Sequence, residues 1–371
     1  MTIKVMCVFG TRPEAIKMAP IIRELKRRDG IVCQVVVTAQ HREMLDQVLD
    51  IFGVIPDRDL NIMKPNQTLA QSAASIFTGM DQVLVDLKPD WVLVQGDTTT
   101  VMTGALTAVY RQVKVGHVEA GLRTDDKLQP FPEEINRRVT SVVADLHFAP
   151  TEEAKSNLLR ENIAEKDIVV TGNTAIDTLM MLGEKPLTPA VEEILRKAGG
   201  RTLVLVTAHR RENFGEPIEH ICQAIKALGE QFGDEIEIVY PVHLNPNIQA
   251  PVQRILGGLP NIQLLEPLDY LSLVQLEKAA KLILTDSGGI QEEATALGKP
   301  TLVLRETTER PEGVTAGVLK LVGSEMEVIL EEAVHLLTDS AAYDEMAHPS
   351  TVYGDGQAAK RIVDAILQRG A

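Results

Sequence analysis

The chain has 371 residues, of which 44% are hydrophobic and 24% charged, and a formal net charge of −15. This length exceeds one ordinary hydrophobic core and predicts two domains, and the composition is typical of a globular enzyme rather than of a disordered chain. The negative charge argues against a protein that coats nucleic acid, although local Arg and Lys clusters can still bind a small anion.

The sequence shows no targeting pattern. No charged-then-apolar leader opens it, and no apolar run approaches about 18 residues. Its three cysteines form no CxxC pair, as is typical of buried free thiols in a reducing compartment. We therefore expect a cytoplasmic protein with no membrane and no nucleic-acid partner.

Twelve short apolar runs recur along the chain with helical patterns between them. In chain order they are 4–9, 33–39, 91–97, 113–120, 146–150, 167–172, 202–209, 236–243, 262–267, 281–286, 300–304 and 318–323. Near-continuous apolar strands that alternate with helices predict parallel sheets covered on both faces. The sequence therefore predicts an α/β protein of two doubly wound, Rossmann-like domains that face each other across a cleft.

The two sets of six runs are separated by the segment 181–201, which contains Pro and Gly and is expected to join the domains. We predict an N-terminal domain at 1–172, a C-terminal domain at 173–355, and a final helix at about 356–371 that packs back on the first domain. Ligands of such sheets bind outside the carboxyl ends of the strands, so the residues after each strand are the candidates for function.

The turn after the first predicted strand holds two cations. In GTRPEAIK, Gly10 permits a tight turn, and Arg12 and Lys17 flank the helix start. Cations there oppose the helix dipole unless an anion lies between them, so an anion site is expected; the alternative is a solvated helix start. The turn is neither GxGxxG nor a P-loop, and no cofactor is expected.

Three carboxylates follow later strands of the first half. Asp97 lies at a strand terminus, Glu119 inside an apolar strand, and Glu133 at the start of a helix. Together they would suffice for general acid and base catalysis. The plainer alternatives are a helix N-cap for Asp97 and an ion pair with Arg123 for Glu119. Glu133 and Glu134 could instead form i,i+4 pairs with arginines on a solvated helix face.

The second half places a cationic cluster and a glycine-rich turn after its strands. TAHRREN sets His209 beside Arg210, which indicates a phosphate-facing cluster. In TDSGGIQEEA, the backbone N–H groups at Ser287, Gly288 and Gly289 would open a helix, where an anion such as phosphate binds readily.

That helix start is followed at once by Glu292 and Glu293, although carboxylates repel phosphate. Arg310 lies after the fifth strand of this half, in TTERPEG. The patterns HxxxH and CxxC are missing from the sequence, so no metal site is expected.

Seven motifs, in consistent order, resemble one family: FGTRPEAIKMAP, QGDTTT, HVEAGLRT, PFPEEINRR, TAHRREN, DSGGIQEEA and TTERPE. From about residue 3 to residue 367 the chain resembles the non-hydrolysing UDP-N-acetylglucosamine 2-epimerases of bacteria. The resemblance implies the glycosyltransferase-B fold and reversible interconversion of UDP-N-acetylglucosamine and UDP-N-acetylmannosamine. In that reaction UDP is eliminated across C1–C2 to give 2-acetamidoglucal, and is then re-added with the C2 proton on the other face.

The resemblance also implies roles for the residues after the strands. The diphosphate would be held by Arg12, Lys17, His209 and the N–H groups at Ser287, Gly288 and Gly289. Glu293 would accept hydrogen bonds from the ribose hydroxyls, Arg310 would lie near the sugar and phosphate, and Glu292 would be only a solvated or helix-stabilising charge. The catalytic residues would be Asp97, Glu119, Glu133 and His209, without an assignment of acid and base to each direction.

Some bacterial members of the family bind a second UDP-N-acetylglucosamine as an activator. The residues that resemble that site are Gln40, His41, Arg210 and His243. Glu43 stands where those members have Gln, and Asn66 where they have Arg. Losing a cation while gaining an anion should weaken the binding of a second nucleotide sugar, so activation is expected to be weaker or differently built.

Three alternatives stay open beside the epimerase. A glycosyltransferase of the same fold would need an acceptor site but not three carboxylates. A hydrolysing epimerase usually adjoins a sugar kinase domain, for which this chain has no room, and a nucleotide-sugar-binding regulator would not need the carboxylates. The resemblance further implies a homodimer that serves the synthesis of a bacterial cell-envelope polysaccharide.

Overall fold

In the computed structural model of the chain, the described residues are 2–38, 42–62 and 67–370, without the side chains of 42–44. Gln40, His41 and Asn66 lie outside the described residues, as does the side chain of Glu43. Strands and helices alternate and build two parallel sheets, one in each of two compact units.

The secondary structure elements have the following bounds. The strands are β1 Ile3–Phe9, β2 Ile31–Val37, β3 Arg58–Asp59, β4 Trp91–Gln95, β5 Lys114–Val118, β6 Leu146–Ala149, β7 Ile168–Val170, β8 Thr202–Thr207, β9 Ile236–Pro241, β10 Ile262–Leu265, β11 Leu282–Thr285, β12 Thr301–Val303 and β13 Leu319–Leu321. The helices are α1 Arg12–Arg27, α2 Arg42–Phe52, α3 Leu69–Leu87, α4 Thr99–Tyr110, α5 Glu133–Val143, α6 Glu152–Arg160, α7 Thr174–Gly183, α8 Pro189–Ala198, α9 Glu216–Phe232, α10 Pro246–Leu256, α11 Tyr270–Ala279, α12 Gly288–Leu297, α13 Pro311–Thr315, α14 Met326–Thr338, α15 Ser340–Met346 and α16 Ala358–Arg369.

Both sheets are doubly wound. The first has the strand order β3-β2-β1-β4-β5-β6-β7 and the second β10-β9-β8-β11-β12-β13, with parallel neighbours throughout. The order reverses between β1 and β4 in the first sheet and between β8 and β11 in the second. Ligands of such sheets bind outside the carboxyl ends of the strands at this reversal, so these two edges are where function is expected.

All twelve predicted apolar runs contain a strand, which confirms the prediction of parallel α/β architecture. The apolar runs became strands because both faces of each sheet are buried, and large side chains such as Trp91, Phe148 and Tyr240 are almost fully enclosed. The sequence pattern missed only β3 among the described strands, since this edge strand has two polar residues and no apolar run.

The chain passes between the two units after Thr178 and returns after Tyr353. The first turns of α7 still belong to the first unit, because Asp177 accepts hydrogen bonds from the backbone N–H groups of Ala358 (3.2 Å) and Ala359 (2.9 Å) at the start of α16. The division thus lies a few residues later than position 172.

The segment 181–201 is more than a join. It contains α8, which is capped by Thr188 and packs Val191 and Ile194 into a core cluster of the second unit. Its Pro and Gly stand at the two ends of this helix, where they favour the start and the end. No helix in the described ranges is long and apolar enough to cross a lipid bilayer.

Candidate active site

The turn after β1 is closed by the buried carboxylate of Glu14. It accepts hydrogen bonds from the backbone N–H groups of Gly10 (3.1 Å) and Thr11 (2.8 Å) and from the hydroxyl of Thr98 (2.9 Å). Thr11 is the N-cap of α1 and Glu14 its third residue, so the two form a capping box. Sequence reasoning missed Glu14, although the T-x-x-E spacing indicates this contact.

Burial raises the pKa of Glu14 to about 7, from the usual 4.5. Between pH 4.5 and pH 7 Glu14 is protonated in the folded protein but ionised in the unfolded chain. The stability that protonated Glu14 contributes to the fold is therefore fully present below about pH 4.5 and is lost as the pH rises through about 7. The Gln side chain in Glu14→Gln cannot titrate. We therefore expect the free energy of unfolding of this variant, minus that of wild type, to increase by up to roughly 3 kcal/mol as the pH rises through this range. Denaturant unfolding at several pH values measures this difference. A difference that does not change with pH would contradict the assignment, and the exposed Glu153→Gln serves as the control.

Glu119, which follows β5, is held by a cation and an amide. Lys17 Nζ lies 2.6 Å from its Oε1 and 2.7 Å from its Oε2, and Gln95 Nε2 also donates to Oε2. Glu119 has a φ of 62°, in the left-handed region that residues other than glycine rarely adopt. Such a conformation persists only where the surroundings hold it, and it is most often seen at functional sites.

Arg123 is not the partner of Glu119. Its guanidinium pairs with both carboxylate oxygens of Glu161, at 2.8 and 2.6 Å, and also donates to Ser141. The alternative of a Glu119–Arg123 ion pair is therefore wrong. The chain turns between the two residues at Gly121, whose φ is 93°, and this turn sends the arginine toward α6.

Asp97 lies next to Glu119 at the same edge of the sheet. It follows Gly96, and a Cβ placed on Gly96 would lie 3.8 Å from Glu119 Oε2. The Asp97 carboxylate pairs with Arg137 of α5. The N-cap of α4 is Thr98, so the alternative of an N-cap role for Asp97 is wrong.

The two glutamates at the start of α5 have different surroundings. Glu134 is fully buried and accepts hydrogen bonds from Arg137 (3.2 Å) and Arg138 (2.9 Å), so one of the two expected i,i+4 pairs is present. Arg137 bridges Glu134 and Asp97 instead of pairing with Glu133. Glu133 is half-buried, and no side chain in the described part of the protein bonds its carboxylate.

In the second unit, the buried Asp286 organises the edge between β8 and β11. Its Oδ2 accepts hydrogen bonds from the backbone N–H groups of His209 and Arg210, both at 2.8 Å, and from Asn213 Nδ2 at 2.9 Å. Its Oδ1 lies 3.4 Å from His209 Nδ1. Sequence reasoning missed Asp286, whose signal is an aspartate directly after an apolar strand.

The start of α12 has the shape of an anion cradle, with a cation beside it. The N–H group of Ser287 already donates to Thr285 Oγ1 (3.0 Å), so the cradle consists of the N–H groups of Gly288 and Gly289 in the first helical turn. A Cβ on Gly288 would lie 3.6 Å from Arg210 Nη2. A cation at a helix N-terminus is opposed by the dipole, and an anion bound between them removes that conflict.

Two of the four residues expected at a second nucleotide-sugar site lie at the carboxyl edge of the second sheet. Arg210 reaches the start of α12, and the ring of His243 stacks on that of His209 with 5.6 Å between their centroids. The other two, Gln40 and His41, lie outside the described residues.

Glu292 and Glu293 are both buried, and each has a side-chain partner. Glu292 pairs with Arg310, so the expectation of a solvated charge at Glu292 is wrong. Glu293 points to the other side, where it accepts a hydrogen bond from the hydroxyl of Tyr270 at 2.5 Å. Consecutive helical residues face directions about 100° apart, which is why the two glutamates serve different neighbours.

A cavity of about 440 Å³ lies elsewhere, at the amino-terminal edge of the first sheet, among residues such as Trp91, Lys114 and His147. It is on the opposite edge from Asp97 and Glu119 and is not part of the candidate site. No group of three or more His, Cys, Asp or Glu side chains within the described ranges could hold a metal ion.

Comparisons with known proteins are consistent along the whole chain. A family model described as UDP-N-acetylglucosamine 2-epimerase matches residues 23–367. The UDP-N-acetylglucosamine 2-epimerase of Salmonella typhimurium is 52% identical over 369 residues, 98% of this chain and 98% of that protein. That of Bacillus subtilis is 53% identical over 365 residues, 98% of this chain and 95% of that protein.

Solved structures give the same result. The UDP-GlcNAc 2-epimerase from Neisseria meningitidis bound to UDP-GlcNAc is 50% identical, with a TM-score of 0.89 over 99% of this chain and 100% of that chain. MurG from Acinetobacter baumannii has a TM-score of 0.61 at 15% identity, which is a likeness of fold alone. Together they confirm the predicted α/β fold of glycosyltransferase-B type.

Proposed function

The chain belongs to the UDP-N-acetylglucosamine 2-epimerase family, and we propose that it interconverts UDP-N-acetylglucosamine and UDP-N-acetylmannosamine. The observation that supports the ligand class best is the start of α12. There two glycine N–H groups and Arg210 suit a diphosphate, and Glu293, just over one turn on, suits neutral hydroxyls that donate hydrogen bonds. A UDP-type ligand presents both kinds of group.

The reaction must remove a proton that is barely acidic, because C2 of the sugar is not next to a carbonyl. We propose that UDP departs from C1 and that the C2 proton is lost in the same elimination, which gives 2-acetamidoglucal. Positive charge that builds at C1 acidifies the C2–H bond. Re-addition of UDP, with a proton delivered to the opposite face of C2, gives the epimer. The protein must therefore stabilise departing UDP and supply acid and base groups.

The carboxylates of the first unit suit the proton transfers. Lys17 and Gln95 donate hydrogen bonds to Glu119 and hold its carboxylate in place at the edge of the sheet, where a general base needs a fixed orientation. Arg137 holds the carboxylate of Asp97 through an ion pair. Glu133 is half-buried at the start of α5.

Phosphate and sugar contacts complete the proposal. The groups proposed to hold the diphosphate are Arg12, Lys17, His209 and the N–H groups of Gly288 and Gly289, and His209 is also proposed to take part in catalysis. Arg310 is proposed to lie near the sugar and phosphate, with Glu292 fixing its guanidinium.

Incubation with UDP-N-acetylglucosamine alone in deuterated water tests this function. We expect deuterium at C2 of the sugar, accumulation of the C2 epimer, and no net release of UDP, because each elimination is followed by re-addition. Proton NMR and mass spectrometry measure all three. Unchanged substrate would favour a glycosyltransferase or a non-catalytic binding protein, and net formation of free N-acetylmannosamine and UDP would favour a hydrolysing epimerase.

A homodimer, a cytoplasmic location and a role in cell-envelope polysaccharide synthesis stay predictions. So does the weaker or differently built activation by a second substrate molecule, which saturation curves for UDP-N-acetylglucosamine would test. Strong sigmoidality, with the reverse reaction inactive until activator is added, would contradict that last prediction.

A further inference from the structure

A second carboxyl group lies buried behind Glu293. Glu277 of α11 is 0% exposed, and its carboxyl group interacts with that of Glu293. Tyr270, seven residues earlier on the same face of α11, donates its hydroxyl to Glu293 Oε1. Tyr270, Glu277 and Glu293 thus form one cluster, which we call the Glu293 cluster.

The protonation state of Glu277 follows from its surroundings. Within the described part of the protein, neither of its oxygens accepts a hydrogen bond. An ionised carboxylate in that position would be desolvated without compensation and would repel Glu293. An un-ionised acid avoids both costs, because its O–H group donates to Glu293. Burial first, and then the neighbouring Glu293, raise the pKa of Glu277 well above its usual range.

The other titratable groups that face the cluster do not reverse this conclusion. The phenol of Tyr270 has its pKa raised well above the usual value, first by burial and then by Glu293, so it stays a hydrogen-bond donor. Glu292, which also raises the pKa of Tyr270, is paired with Arg310.

We infer that Glu277 is an un-ionised carboxylic acid that donates a hydrogen bond to Glu293 and so positions that carboxylate for the ribose hydroxyls. The inference rests on the proposed function, in which Glu293 binds ribose. Glu277 has no exposed surface whereas Glu293 is 6% exposed, so only Glu293 can touch the ligand. Glu277 is therefore a positioning residue. Two donors from behind fix the orientation of the Glu293 carboxylate toward the ligand.

The first test compares UDP with 2′-deoxy-UDP by titration calorimetry. Wild type is expected to prefer UDP by about tenfold or more, the effect of losing one hydrogen bond to a charged group. Glu277→Gln keeps a donor of the same size and is expected to retain this preference. Glu277→Leu has no donor and is expected to lose most of the preference and to bind UDP about tenfold more weakly. Glu293→Gln is the control for a lost ribose acceptor.

A merely structural role for Glu277 would give a different result. In that case Glu277→Leu would weaken both ligands equally, the preference for UDP would survive, and the positioning role would be overturned. Because Glu277→Gln is isosteric, it keeps the test meaningful if Glu277→Leu folds poorly: a lost preference in a well-folded Glu277→Gln would also overturn the role.

Infrared spectroscopy at neutral pH separates this inference from the proposed function. The carbonyl stretch of an un-ionised carboxyl group should be stronger in wild type than in Glu277→Gln, while any contribution from Glu14 is common to both. Identical spectra would overturn the protonated pair even if UDP binds as proposed. A spectral difference together with equal binding of UDP and 2′-deoxy-UDP by wild type would instead overturn the ribose role of Glu293, and with it the positioning role.

Discussion

Glu119→Gln is expected to lower kcat for epimerisation by about 100-fold or more while the affinity for UDP changes by less than about threefold. The Glu119 carboxylate is the group that two donors, Lys17 and Gln95, hold in place. An amide of the same shape cannot take a proton from C2, and its NH₂ group would face one of these donors. Exchange of the C2 proton in deuterated water and calorimetry with UDP measure the two quantities separately.

The same comparison extends to the other carboxylates. Asp97→Asn and Glu133→Gln are expected to show comparable losses of kcat if all three take part in proton transfer. The exposed Glu153→Gln, on α6, is the matched control and should retain wild-type turnover. Near-normal turnover in all three variants would refute the acid/base assignment. If Glu119→Gln lost as much UDP affinity as rate, Glu119 would be a binding residue instead.

The strands and the residues after them could be predicted from the sequence, because their signals are local. A buried parallel strand needs an unbroken apolar run, and such a run marks where it ends. The helix start at Gly288 was predictable for the same reason, since Ser-Gly-Gly follows an apolar strand directly. The two-residue strand β3 has no such signal, because it adds only an edge to the sheet beside Val36 and Val37.

The partners of the charged residues could not be predicted, because they depend on which strands become neighbours. Lys17 and Glu119 are 102 positions apart in sequence and meet only because β1, β4 and β5 are consecutive in the sheet. Sequence proximity favoured Arg123 instead, and that alternative was wrong. Glu292 was expected to be solvated for a similar reason, since nothing local shows that Arg310 covers it.

The same distinction separates the two halves of the proposed chemistry. The anion cradle is a local structure, a glycine-rich helix start, and its sequence motif indicates a phosphate ligand directly. The proton-transfer site is a tertiary structure, in which Glu119, Asp97 and Arg137 come from three different segments of the first unit. Its chemistry was therefore predicted from residue types, and its electrostatics only became visible in the fold.

Asp286→Ala is expected to weaken UDP binding by about 10- to 100-fold and to lower the free energy of unfolding by about 2–4 kcal/mol. The carboxylate accepts two backbone N–H groups, of His209 and Arg210, and the side chain of Asn213. Without it these buried donors are unpaired, and the loop that brings Arg210 to Gly288 loses its anchor. Calorimetry with UDP and denaturant unfolding measure the two effects.

The matched control for this variant is Asp177→Ala in the first unit. Asp177 is also buried and also accepts two backbone N–H groups, those of Ala358 and Ala359, so its loss should cost comparable stability without weakening UDP binding.

Asp286→Asn adds a finer comparison, because its amide oxygen can still accept the three donors while its NH₂ group faces His209. We expect this variant to fold as stably as wild type to within about 1 kcal/mol and to recover most of the UDP affinity that Asp286→Ala loses, since the loop after β8 keeps its anchor. If Asp286→Ala bound UDP as tightly as wild type, the loop after β8 would have no part in the nucleotide site, and Arg210 and His209 would have to be removed from it.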